Sequence, residues 1–118
     1  MFFIFDQNNS GGSFSYDPVR GISEDVVIEA KNAEEANERA VGIGIYFDGC
    51  ETERDCSCCG DRWDEAYGKG TEKPEKYGKE IIPESKWVKE GTFSIKWITG
   101  GPSGYIHYLD GRIVPFGV

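Results

Sequence analysis

Residues Asp25 to Gly42 read DVVIEAKNAEEANERAVG, and two structural periods meet inside them. Asp25–Ala30 is a β-branched run, which predicts a strand. The code changes at Asn32, a good helix N-cap, with Glu35 placed to complete a capping box. Glu34 and Glu35 also put negative charge in the first turn, where the helix dipole favours it. Ala33, Ala36 and Ala40 recur at helical spacing as a stripe without bulk, which lets a helix lie close against a sheet. Gly42 is expected to supply the left-handed C′ residue. The prediction is a helix over Ala33–Val41 laid across a sheet that contains Asp25–Ala30.

Working outward, Phe2–Phe5 reads as a central strand buried on both faces. DQNNSGG is a turn, and SFSYD (Ser13–Asp17) alternates like a half-buried strand, so the two flanks are expected to form a first hairpin. GIGIYFD (Gly42–Asp48) is predicted to return to strand, with Ile43, Ile45 and Phe47 on one face. Glu65–Pro83 is polar and glycine-punctuated and reads as a surface excursion. TFSIKWIT (Thr92–Thr99), YIHYL (Tyr105–Leu109) and RIVPF (Arg112–Phe116) are further strands, with Asp110-Gly111 a two-residue hairpin signal. Pro115 lacks an N–H and puts the last strand at an edge. The expected fold is α+β: a mostly antiparallel sheet of about six strands, one helix packed on one face, and a cysteine-rich loop.

The chain has 118 residues, enough for a single domain over 1–118, and three Trp, six Tyr and seven Phe to fill its core. The opening MFFIF has no basic flank and stops at Asp6, short of a signal peptide or a membrane span. A soluble protein made in a cytoplasm is expected, with no membrane contact. The net charge of −8 has the wrong sign for binding phosphates, so direct nucleic-acid binding is not expected. Excess acid serves solubility, or presents negative charge to a basic protein surface. The charge is also concentrated: Asp48–Glu65 carries seven acids against Arg54 and Arg62.

That acidic stretch holds all four cysteines, in GCETERDCSCCGDRW (Gly49–Trp63). Cys56 and Cys59 have C-x-x-C-G spacing, which converges two thiolates on one ion, with glycine letting backbone N–H groups turn toward sulfur. Cys50 is the natural third ligand. The fourth is open among Cys58, His107, Asp55 and Asp61, with the set Cys50, Cys56, Cys58 and Cys59 placed first. Such a site would hold a structural zinc, having no open position for catalysis. Free thiols, disulfides and a redox pair are the alternatives; a cytoplasm disfavours disulfides, and the surrounding carboxylates oppose a low thiol pKa. An ordered loop would present Glu51, Glu53, Asp55, Asp61, Arg62 and Trp63 to a partner. The competing reading buries Trp63 in the core and pairs Arg62 with a neighbouring aspartate.

No nucleophile elbow, P-loop, H-E-x-x-H or dinucleotide fingerprint occurs, and one histidine leaves little scope for acid–base chemistry, so no enzyme is expected. A separate ligand site is conceivable from Arg20, Tyr105, His107 and Arg112, which would stack a base and pair a phosphate.

GIYFDGC (Gly44–Cys50) followed by DCSCCGDRW (Asp55–Trp63), with the upstream VIEAKNAEEANERA, resembles a group of small uncharacterised proteins of tailed bacteriophages. The resemblance covers Val27–Trp63. It implies a viral origin and expression in the host cytoplasm, and it transfers no activity or site residue. The expected function is that of a phage accessory protein acting by stoichiometric binding, which inhibits a host defence factor through its acidic surface. A protein that sequesters a nucleotide signal is the second expectation, and a virion or assembly component the third; homo-oligomerisation stays open.

Overall fold

A computed structural model describes residues 1–8, 14–55, 60–76, 78–81 and 103–116. The predicted strand Thr92–Thr99 and the residues Cys56, Cys58 and Cys59 lie outside these. The described chain is α+β. Strands β1 (Phe2–Asp6), β2 (Asp25–Glu29), β5 (Gly104–His107) and β6 (Ile113–Phe116) form one sheet in the order β1-β2-β5-β6. Two short strands, β3 (Glu75–Lys76) and β4 (Lys79–Glu80), make a separate antiparallel pair, and the helix α1 spans Ala33–Gly42. β1–β2 and β5–β6 are antiparallel, and β2–β5 is parallel.

β2 is the centre of the sheet. Val26 and Ile28 pack on the helix side with Phe3, Phe5, Ala36, Ala40, Ile45 and Trp63, while Val27 packs on the other face with Ile106 and Phe116. A run of β-branched residues suits a strand that has no solvent face. The role expected for Phe2–Phe5 therefore belongs to β2. β1 is an edge strand whose residues alternate, with Phe3 and Phe5 buried and Phe2 and Ile4 half-buried.

The first hairpin is also not the expected one. β1 pairs with β2, and residues 14–16 form no ladder. The side chain of Gln7 takes the ladder's place: its Nε2 donates to the carbonyls of Ser15 and Ser23, both at 3.0 Å, and its Oε1 accepts from the Ser15 N–H. A buried amide satisfying three backbone groups fixes the segment without strand pairing.

The helix begins as its residues dictate. Asn32 accepts from the Glu35 N–H at 2.9 Å, and the Glu35 carboxylate reaches back to the Lys31 N–H at 3.2 Å. Ala36 and Ala40 are fully buried against the sheet. The C-terminal reading needs correction: helical geometry runs through Gly42, and the left-handed residue is Gly44 at φ 105°. Gly44 N–H bonds the Val41 carbonyl and Ile45 N–H bonds that of Ala40, a Schellman closure. This closure uses up the segment predicted as the strand GIGIYFD. Ile45 is buried and Ile43 and Phe47 rest on the core, yet they join no ladder.

Among the described strands β6 is at the sheet edge with Pro115 in it, as expected. The β5–β6 turn is a loop of three residues rather than two, closed by Tyr108 N–H to the Arg112 carbonyl, with Gly111 left-handed at φ 93°. Among the described residues no helix is long and apolar enough to cross a membrane.

Replacing Asn32 with alanine should cost about 1 kcal/mol through loss of the cap. Ala40→Leu should cost about 1–3 kcal/mol by overpacking a position fully buried between helix and sheet. Urea midpoints at constant m-value check both.

Candidate functional site

The loop after α1 is shaped by one buried carboxylate. The Asp55 side chain is fully buried; Oδ1 accepts from the Tyr46 hydroxyl and Oδ2 from the Arg62 N–H, both at 2.8 Å. The Arg62 guanidinium lies 3.6 Å from Oδ1 and donates to Gln7 Oε1 at 2.8 Å, tying the loop to the end of β1. Burial, and then the bond to Asp55, raises the Tyr46 pKa. Gly49 is required beneath this carboxylate, since a Cβ there would fall 1.8 Å from Asp55 Oδ2. Backbone turns complete the loop: Thr52 N–H bonds the Asp48 carbonyl, and Arg54 and Asp55 N–H both bond that of Gly49. Asp48 and Glu53 take left-handed φ values of 57° and 65°. Arg54 stacks over the Tyr46 ring at 4.9 Å.

The residues expected to face a partner therefore divide. Glu51 and Glu53 are exposed, as are Asp48, Asp64 and Glu65. Asp55 and Trp63 are not: Trp63 is 2% exposed and belongs to the core, and Asp55 is the loop's internal anchor. Arg62 is half-buried and its guanidinium faces Asp55, seven residues upstream. Asp61 is half-buried and accepts from the Cys50 N–H at 2.9 Å. The sequence-based view of a surface anchor fails here because Arg and Trp, which suit interfaces, suit the inner side of a loop equally well.

Cys50 is half-buried within this network. Three of the four ligands in the expected zinc set lie outside the described residues, and among the described residues no group of three or more His, Cys, Asp or Glu is gathered to hold a metal.

The four residues of the nucleotide reading differ in exposure. Tyr105 and His107 are buried, whereas Arg20 and Arg112 are exposed and engage Asp17 and Asp110. Burial lowers the His107 pKa, the Arg39 charge adds to that, and the Gly21 carbonyl at 2.8 Å from Nε2 opposes it. His107 is thereby a satisfied structural group.

Two features escaped the sequence reading. The first is a cluster on the face opposite α1. Asp6 and Asp25 are directly paired across β1–β2, and Lys76 Nζ reaches in to 2.8 Å from Asp25 Oδ2 and 3.8 Å from Asp6. Burial, then the facing Asp6, pushes the Asp25 pKa up to about 6, with Lys76 opposing both. The second is a groove of about 450 Å³ between β1 and residues 64–71, with Ile4 and Asp6 on one side and Asp64, Glu65, Ala66 and Thr71 among those on the other. Only the aspartates at strand ends hinted at the cluster; nothing local announces the groove.

This geometry defines a small α+β protein whose acidic loop is locked from inside by a buried ion pair. Over residues 1–118 the chain matches the family described as a domain of unknown function (DUF7296), and it belongs to that family. Neither a curated protein nor a solved structure matches it.

Removing the Asp55 carboxylate with Asp55→Ala should cost about 3 kcal/mol, because the Arg62 backbone N–H and the Tyr46 hydroxyl lose their acceptor and the Arg62 guanidinium loses its facing charge. Thermal denaturation measures it. The buried Asp25 carboxylate makes stability depend on pH. Its folded pKa of about 6 exceeds the unfolded 3.8, so its contribution to stability is complete below the lower value and is lost as pH rises to the upper. The stability of Asp25→Asn relative to the native chain should therefore improve steadily between those pH values, read from denaturation curves across the range.

Proposed function

We propose that this protein acts by stoichiometric binding, setting its acidic loop against the basic, phosphate-reading surface of a host protein. The supporting observation is the division of charge in Asp48–Glu65. Asp55 is turned inward and answered by Arg62, which leaves Asp48, Glu51, Glu53, Asp64 and Glu65 exposed against the single exposed arginine Arg54. An acidic array on a fixed backbone loses little conformational freedom on binding and steers a positive partner. The resemblance to small proteins of tailed bacteriophages favours a host defence factor that handles nucleic acid as the target, met in the host cytoplasm. Zinc on Cys50, Cys56, Cys58 and Cys59 would brace the same loop as a structural cofactor. Elemental analysis of the native protein should then find about one zinc per chain, and none would remove the metal from the proposal. The nucleotide-sequestration reading gains nothing from the buried placement of Tyr105 and His107.

Glu51→Lys with Glu53→Lys tests the binding reading without disturbing the interior. Proteins retained from infected-host lysate by the native chain should be lost to the double variant. Their affinity for the native chain should fall with added salt, and more steeply than any residual affinity for the variant. Equal retention by both chains would overturn the proposal.

A further inference from the structure

Among the described residues the outer edge of β1 is open at its middle, and the reason lies in where neighbouring polar groups point. Gln7 N–H bonds the Glu24 carbonyl and Ala30 N–H bonds that of Met1, so the odd-numbered residues of β1 face β2. The even-numbered ones face outward. Phe2 exchanges two bonds with Thr71, at 2.7 and 2.9 Å, and Asn8 N–H bonds the Arg62 carbonyl at 2.8 Å. Between these two clamps lie Ile4 and Asp6, whose outward N–H and C=O groups have no hydrogen-bond partner among the described residues.

The chain between the clamps, residues 63–70, bows away and forms the opposite wall of the groove. It cannot zip onto β1. Trp63 is buried in the core, and the N–H and C=O of Ala66 are both taken by the Asn37 side chain on α1, at 2.7 and 3.1 Å. The gap is thus built into the fold, with a volume of about 450 Å³. Its rim carries exposed Asp6 on the strand, with Lys76 Nζ 3.8 Å away on the far side, and exposed Asp64 and Glu65 on the wall.

We infer that this groove receives an extended basic peptide segment of a partner protein, which adds as a strand to β1. Its main chain bonds the four groups of Ile4 and Asp6, and its lysine or arginine side chains meet Asp6, Asp64 and Glu65. A second copy of this chain is the poorer occupant, since β1 against β1 would bring the two acidic rims together. The site is distinct from the Glu51–Glu53 surface, and the inference stands without the binding mode proposed for that loop.

The test uses the full-length native protein and a short fluorescent peptide alternating lysine and valine. Two further versions carry N-methyl groups on either all the lysine or all the valine amides, so that each blocks one edge of the peptide. Binding should be saturable, and one N-methylated version should lose at least about tenfold in affinity while the other does not. The Ile4 and Asp6 amides should shift and become protected from exchange in NMR spectra of the complex. Asp64→Lys with Glu65→Lys should weaken the peptide, whereas Glu51→Lys with Glu53→Lys should leave it unchanged. Equal binding of all three peptides, no saturable binding, or shifts confined to residues 48–55 would overturn the inference. So would protection of Ile4 and Asp6 that grows with protein concentration in the absence of peptide, which would assign the edge to a second copy.

Discussion

Burial of β2 on both faces is the constraint from which the rest follows. A strand with no solvent side must bond to neighbours on each edge and be covered above and below, so Val26 and Ile28 recruit the helix while Val27 meets Ile106 and Phe116. The alanine stripe answers this demand. Ala36 and Ala40 carry nothing beyond Cβ, which brings the helix backbone close to the sheet and leaves the aromatic residues of β1 to fill the flank. The same burial makes the Asp25 carboxylate at the start of β2 costly, and Lys76 reaches it from another element to offset that cost.

The acidic loop depends on a second buried carboxylate with a different solution. Asp55 is surrounded by donors that its own loop provides, the Arg62 N–H and guanidinium and the Tyr46 hydroxyl. Removing one negative charge from the surface in this way holds the remaining acids on a fixed frame. Because Arg62 also bonds Gln7, and Gln7 holds Ser15 and Ser23, the loop, the end of β1 and the segment before β2 form one connected polar network. The placement of the acidic surface is therefore coupled to the sheet edge beside it.

Among the described residues that edge is open for a reason unrelated to β propensity. Asn37, on the rim of the helix, takes both main-chain groups of Ala66 and so prevents the 63–70 segment from becoming a fifth strand of the sheet. Among the described residues a side-chain amide takes the place of a strand neighbour at Gln7 and at Asn37. At Gln7 it substitutes for the ladder that the alternating SFSYD pattern would extend, and at Asn37 it holds a surface segment off the edge of β1.

Local order was legible in the residues themselves. The Asn32 cap, the buried alanines, β2, the β5–β6 hairpin and the proline-marked edge each follow from interactions within a few positions, where spacing and side-chain chemistry suffice. Errors arose wherever two local solutions were close in energy. Gly42 and Gly44 are both able to end the helix, and only the fit of Ile45 into the core selects the second. Phe2–Phe5 is apolar enough for a central strand, and only the pairing order makes it an edge. The loop carboxylates are alike in sequence, yet one is interior and its neighbours are not, because burial depends on which donors the folded chain brings within reach. Spacing along the chain carries no information about such distant partners; the contact of Arg62 with Gln7 and of Lys76 with Asp25 exists only once the sheet has assembled.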